Sequence, residues 1–374
     1  MEASESLAES TQCEKVGEAM PDIAGYGVLI GLAGQALISL LLSFWVFFLT
    51  KLGRLDIQHP EGTPEHASEK KRLGFVSEIL MVGNDLQMIT GVALIITVFS
   101  NTKGIDLYHL HLVFDTVSFV GISNAAALIC WTFIGAKTPK KKYHQIAPSH
   151  WTGRFRVSYI FALLFLGLTI FLEVRLDQWS LTAEETGFCY ITKGITTPGA
   201  SHPRTDKAYV AVTAIWLLLV IFGALFASAK FGKPLLILSF LQFPVHLYMM
   251  ITLRSENQDF LENHEDENEW DFGQTTAIIL LSIALAQLVH QGVLYLKFER
   301  AVKKYGAEFA LAMKADDDLD EGTPTLFEQG MNGIRDIKKN MSNTRLDRGG
   351  DIEQQEEGHE LMRNNELRPR AGSE

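Results

Sequence analysis

Chemistry is first sought at four ionisable side chains, Asp85, His111, Asp115 and His246, which stand in otherwise apolar stretches. An ionised group facing lipid costs ~2.5–3.5 kcal/mol or more, so such residues are expected to face the interior of a helix bundle. His111 and Asp115 are four residues apart and share one helix face. Gln242 and His246 repeat that spacing around Pro244, which lacks an amide, frees a carbonyl and should bend its helix. Asn84 and Gln87 flank Asp85 as supporting polar groups. Two readings stay open. The four residues could line an outward-facing polar cavity that binds a small polar ligand, a cation or a proton. They could instead join a buried network that holds helices together, at ~0.6 kcal/mol per contact. The amides of Asn84 and Gln87 favour the network, because amides pair helices without charge. Two aspartates, Asp85 and Asp115, placed by the sequence at one depth favour a site. Glu173, Gln287 and His290 are the other polar groups inside apolar stretches.

These side chains need helices to position them. A bilayer core of ~30 Å takes about twenty apolar residues as a helix, which also satisfies its own backbone. Seven stretches qualify, at about 26–49, 75–99, 107–134, 157–176, 209–229, 234–253 and 272–296. The fold class is therefore an all-α polytopic membrane helix bundle with seven transmembrane helices. Basic residues alternate between connections. Lys51, Arg54, Lys70, Lys71 and Arg72 follow the first span, Lys137, Lys140, Lys141, Lys142 and Arg154 the third, Lys230 and Lys233 the fifth, and Lys297, Arg300, Lys303 and Lys304 the seventh. The positive-inside rule puts these segments in the cytosol, so the topology is N-out/C-in. Residues 1–25 form an exoplasmic segment, 26–297 the transmembrane domain, 298–342 a cytosolic helical extension with an amphipathic stretch, and 343–374 a disordered tail. The plasma membrane is the expected location.

The acidic start of the chain (Glu2, Glu5, Glu9, Glu14) has no signal-peptide pattern, so the first span is expected to direct insertion. Of the three cysteines, Cys130 falls inside a span. Cys13 and Cys189 fall on the oxidising side, where they form a disulfide or remain two separate thiols; spacing does not decide between them. The acidic run from Glu262 to Asp271 lacks EF-hand spacing and reads as a solvated loop. Leu326, Phe327, Met331, Ile334, Ile337 and Met341 recur at helical spacing. They would lie on the membrane surface, bind a cytosolic protein partner, or form a weakly helical part of the tail. A formal net charge of -11 argues against nucleic acid as a partner.

Three stretches carry a resemblance. They are Pro21 to Val28 (PDIAGYGV), Asn84 to Gly91 (NDLQMITG) and Leu107 to Leu128, which opens with the Tyr108–His109 pair. Together they resemble a set of fungal polytopic membrane proteins of unknown function. The resemblance covers about the first third of the chain. Met20 stands where those proteins often have Asn, and Asp115 where many have an uncharged residue. It implies a fungal source and supplies no activity.

The residues bear on three function classes. A receptor-like sensor fits the span count, the outside N-terminus, the cysteine-bearing second outer loop and the bent sixth helix. Span three lacks an Asp/Glu-Arg-Tyr element and span seven lacks Asn-Pro-x-x-Tyr, so coupling to a G protein is not expected. A proton- or cation-coupled transporter or channel could use Asp85 and Asp115, although no inverted repeat is apparent. An intramembrane metallohydrolase would need about three well-placed ligands, and no paired-His motif occurs on one helix. The expectation is a membrane protein without catalytic residues, metal or cofactor, with an unidentified small ligand or ion.

Overall fold

The computed structural model describes residues 13, 16–51, 55–81, 83–137, 153–180, 187–191, 204–226, 231–262 and 267–311. All lie in one compact unit, Met1–Ala315. The amphipathic stretch at 326–341 and the tail at 343–374 fall outside the described residues. Of the described residues 84% are helical and none lies in a strand. Seven stretches are long and apolar enough to cross a membrane, and the chain is an all-α integral membrane bundle.

The helices run α1 (Pro21–Ala24), α2 (Tyr26–Lys51), α3 (Pro64–Met81), α4 (Asn84–Ser100), α5 (Leu107–Lys137), α6 (Gly153–Asp177), α7 (Arg204–Phe226), α8 (Gly232–Asn257) and α9 (Phe272–Tyr305). Helix α5 is the axis of the bundle. The whole of its apolar window is buried, and α2, α4, α6, α7 and α8 pack around it. Its neighbours expose Leu163, Leu219, Ile215 and Ile251, as helices do when lipid is their solvent. At the periphery, α9 buries the smallest share of its window. One face of the bundle carries Cys13, Val16 and Gly17, the starts of α5, α7 and α9, and the ends of α6 and α8; it is termed the N-terminal face.

The sequence predicts one unbroken second span from 75 to 99. The structure instead has two helices, α3 and α4, in that stretch. Gly83 adopts φ 74°, a left-handed conformation that costs glycine little and stops a right-handed helix. The preceding helix also starts earlier than expected, at Pro64. Helix α9 runs on beyond the seventh apolar stretch to Tyr305, where the helical extension was expected. Its 34 residues give about 51 Å, well beyond a ~30 Å hydrocarbon core.

The PDIAGYGV stretch has a packing role. The Gly27 amide donates to Gln274 Oε1 at 3.1 Å. A Cβ on Gly27 would lie 2.7 Å from the Gln274 Cβ, and one on Gly31 would lie 2.8 Å from the Ala277 Cβ. The Gly27-x-x-x-Gly31 spacing thus brings α2 against α9 at a distance no larger residue allows. Asp22 accepts from the Gly273 amide at the start of α9, at 2.6 Å.

Candidate functional site

The core of the bundle holds a continuous polar array in the half nearest the N-terminal face. Helix α5 supplies His111 and Asp115, α7 supplies Asp206 and Tyr209, α8 supplies Gln242 and His246, and the segment after Cys189 supplies Tyr190. Asp115 Oδ1 accepts from the Tyr209 hydroxyl at 2.6 Å and lies 2.7 Å from His246 Nδ1. The other His246 nitrogen faces Gln242 Nε2 at 3.2 Å, and that amide also donates to the Thr213 carbonyl at 2.9 Å. Tyr190 donates to Asp206 Oδ2 at 3.1 Å and meets His111 Nδ1 at 3.0 Å. Each of these residues is buried except Tyr209, which is half-buried.

The donors and acceptors fix most of the protons. Gln242 Nε2 can only donate, so His246 Nε2 accepts and Nδ1 carries the hydrogen given to Asp115. Tyr190 spends its hydrogen on Asp206, so its oxygen accepts from His111 Nδ1–H. Two buried atoms at the centre then remain without a partner, His111 Nε2 and Asp115 Oδ2, and they face each other at 3.8 Å. A lone pair opposite a carboxylate oxygen is unfavourable in a low dielectric. A proton between them converts that contact into an ion pair. Asp206 Oδ1 and Gln242 Oε1 are also buried and unpartnered. Burial pushes the Tyr190 phenol well above its ordinary pKa, with Asp206 adding to the effect, so Tyr190 stays a neutral donor.

The array is roofed rather than open outwards. Cys13 and Cys189 form a disulfide with Cα atoms 5.8 Å apart, and Tyr190 follows Cys189 directly. The Asn257 side chain holds the Ile191 amide at 2.6 Å and its carbonyl at 2.7 Å. The Val16 amide donates to the Phe260 carbonyl and the Glu262 amide to the Gly17 carbonyl, so the N-terminal segment also lies on the 3-10 turn that follows α8. The outward-open cavity expected from sequence is therefore closed in this structure: a covalently anchored segment lies over it.

Of the four predicted site residues, three converge and Asp85 stands elsewhere. Asn84 donates to Asn124, which lies nine residues beyond Asp115 on α5, a separation of about 13 Å along the helix. Asp85, half-buried in the first turn of α4, shares that deeper level. The two aspartates are not at one depth: α4 and α5 are joined between Ser100 and Leu107, and Asp85 lies fifteen residues from that connection where Asp115 lies eight. Asn84 and Gln87 belong to a separate network across α2, α4, α5 and α6. Asn124 donates on to Ser158 at 3.0 Å, Gln87 donates to the Leu32 carbonyl at 3.1 Å, and Ser123 donates to Gln87 at 2.8 Å. His290 is exposed on α9, contrary to the expectation that ionisable groups in the spans face inward.

A second ionic cluster at the N-terminal face escaped sequence reasoning. His109 Nδ1 lies 2.6 Å from Asp106 Oδ2, and its Nε2 lies 2.9 Å from Glu267 Oε1. A neutral imidazole has one N–H, so two carboxylate contacts call for imidazolium. Arg254 Nε stands 3.7 Å from Glu267 Oε2, donates to the Ala24 carbonyl at 2.7 Å, and stacks 3.6 Å from the Tyr26 ring. Two cations thus balance two carboxylates out of water. Glu267 is fully buried, so the acidic run is not simply a solvated loop. The Tyr108–His109 pair was visible in the sequence, but the carboxylate both residues share, Glu267, lies in a distant connection.

Among the described residues no group of three His, Cys, Asp or Glu side chains is arranged to hold a metal ion. No protein-family model, no curated protein and no solved structure matches the chain.

Proposed function

We propose that the chain is a receptor-like membrane sensor, with the N-terminal face outside the cell and the C-terminus in the cytosol, whose switch is the buried His111–Asp115–His246 array. The observation that carries this reading is the facing pair of unpartnered atoms, His111 Nε2 and Asp115 Oδ2. One added proton satisfies both and completes a hydrogen-bond chain from Asp206 to Gln242. Its loss leaves like lone pairs opposed on the axial helix, against which seven other helices pack. The charged and titratable groups around the pair are Asp206 and Tyr209 on α7, His246 on α8 and Tyr190 above it. Glu173 on α6 acts on Tyr190 electrostatically, and Lys207 pairs with Asp177 nearby.

Trp179 packs edge-on to Tyr190 at 4.9 Å and is a local reporter. Full-length protein in lipid nanodiscs is expected to change Trp179 fluorescence as pH is varied, the complete array forming on the acidic side. The change should vanish in Asp115→Asn and in His111→Gln, with Trp179→Phe identifying the signal. A pH response that persists in both array variants would remove the switch from this site.

A second reading, proton-coupled transport, rests on the interruption of the second span at Gly83, since discontinuous helices mark ion and substrate paths in transporters. Acid-driven flux in vesicles, abolished by Asp115→Asn, would favour it over sensing.

A further inference from the structure

Helix α9 packs on the bundle with one side and leaves the other to lipid. On that outer side Val289, Val293, Lys297, Arg300 and Lys304 follow at intervals of four, four, three and four residues, so all five share one face. All are exposed, as is Leu296 beside them. Apart from His290, the face is apolar from Val289 to Leu296 and basic from Lys297 to Lys304. The change comes where the hydrocarbon should end. About twenty residues cross a ~30 Å core, and counted from Phe272 they end close to Val293. The opposite side of α9 fixes this stripe in place. Phe298 packs on Phe75 of α3 with ring centroids 5.5 Å apart, and Glu299 pairs with Arg72. Glu299 is the only acid between Val289 and Tyr305, and it is turned away and neutralised. Among the described residues, none of Lys297, Arg300 and Lys304 joins an ion pair. Lys304 lies 4.8 Å from the Tyr305 ring, and Tyr305 meets Phe309 at 5.0 Å, both rings exposed. Exposed aromatic rings beside lysine suit a membrane interface better than open water.

We infer that this face binds an anionic phospholipid, with its phosphate among Lys297, Arg300 and Lys304 and its acyl chains along Val289, Val293 and Leu296. Three cations without a counter-charge select a net negative head, each basic residue at a membrane surface adding about fivefold in affinity. The apolar stripe that runs into them selects a head that carries chains. The packing of Phe298 and Glu299 on α3 presents the cations in one row rather than on a loose tail, so little ordering is left to be done on binding. The site is independent of the proposed sensing role and of which face is outside.

Native mass spectrometry of the full-length protein in detergent tests it. Phosphatidylglycerol and phosphatidylcholine with identical chains are titrated separately. Phosphatidylglycerol is expected to bind about tenfold or more tightly, and to lose that preference as salt is raised. Arg300→Gln should weaken it about fivefold. The triple change of Lys297→Gln, Arg300→Gln and Lys304→Gln should bring the two lipids level, without shifting thermal unfolding, because all three side chains are exposed. Lys140→Gln, Lys141→Gln and Lys142→Gln together remove an equal charge between α5 and α6, and should leave the preference intact. Equal binding of the two lipids by the parent, or an equal loss in that control, would mean bulk attraction by positive charge and would overturn the inference. Glycerol 3-phosphate, a head without chains, should not compete; competition at equal concentration would mean a site for free phosphate and would overturn the lipid. Tighter binding of a poly-glutamate peptide than of phosphatidylglycerol would assign the stripe to an acidic protein instead.

Discussion

At the scale of single residues, the firmest demand in the molecule is that of His109 between two carboxylates. Asp106 and Glu267 are both buried there, and the imidazolium supplies a hydrogen to each. His109→Leu removes both hydrogens and one positive charge while leaving the carboxylates in place. Breaking a buried pair this way costs about 3–5 kcal/mol, because the surviving charges are neither solvated nor paired. Glu267→Gln keeps an oxygen for His109 and should cost clearly less. Thermal unfolding of the purified full-length protein separates the two, with the larger drop expected for His109→Leu. An unchanged midpoint in that variant would show the cluster to be solvated. The same logic explains what a sequence discloses at this scale. His111 with Asp115 and Gln242 with His246 were legible because their partners lie one helical turn away. Asp206, Tyr190 and Tyr209 were not, since tyrosines at span edges are common and their hydroxyls carry no periodic signal. Glu267 was misread because buried and solvated acidic residues look alike in a run of acids.

At the scale of elements, helix existence was written in length and apolarity, whereas helix breaks were not. Nothing in the residues around Gly83, which stands just before NDLQMITG, distinguishes a glycine inside a helix from one that ends it, and only its left-handed backbone shows that α4 is a separate element. Asp85 is set apart from Asp115 for another reason, since fifteen residues of α4 separate it from the connection to α5 and only eight residues of α5 separate Asp115 from it. The α2–α9 contact is the opposite case, since a packing partner accounts for the Gly27-x-x-x-Gly31 spacing. It yields a compensating pair of substitutions. Gly31→Leu forces a side chain where even a Cβ would meet Ala277 at 2.8 Å, and overpacking of this kind costs about 1–3 kcal/mol. Ala277→Gly removes the atom it meets. The double variant is expected to recover part of the loss in thermal unfolding, and strictly additive losses would show that the helices separate freely.

At the scale of the whole molecule, two independent physical arguments bear on which face is outside. Basic residues cluster after the first, third, fifth and seventh spans, and the positive-inside rule assigns those segments to the cytosol. The Cys13–Cys189 bridge joins the N-terminal segment to the connection between α6 and α7, and disulfides persist on the oxidising side of a membrane. Charge and redox chemistry share no residues here, and both support the proposed orientation with the N-terminal face outside. An epitope at residue 10 should then be accessible in intact cells, and one at the C-terminus only after permeabilisation. Both tags on one side would break the seven-span count. The bridge adds a stability consequence, because it closes a sequence separation of 176 residues. Loss of a constraint that long removes about 2–5 kcal/mol, chiefly by freeing the unfolded chain. Cys13→Ser and Cys189→Ser should therefore lower the unfolding midpoint equally, and the double variant should match either one. A deeper fall for Cys189→Ser alone would mean that its contribution lies in holding Tyr190 over the array rather than in the covalent link.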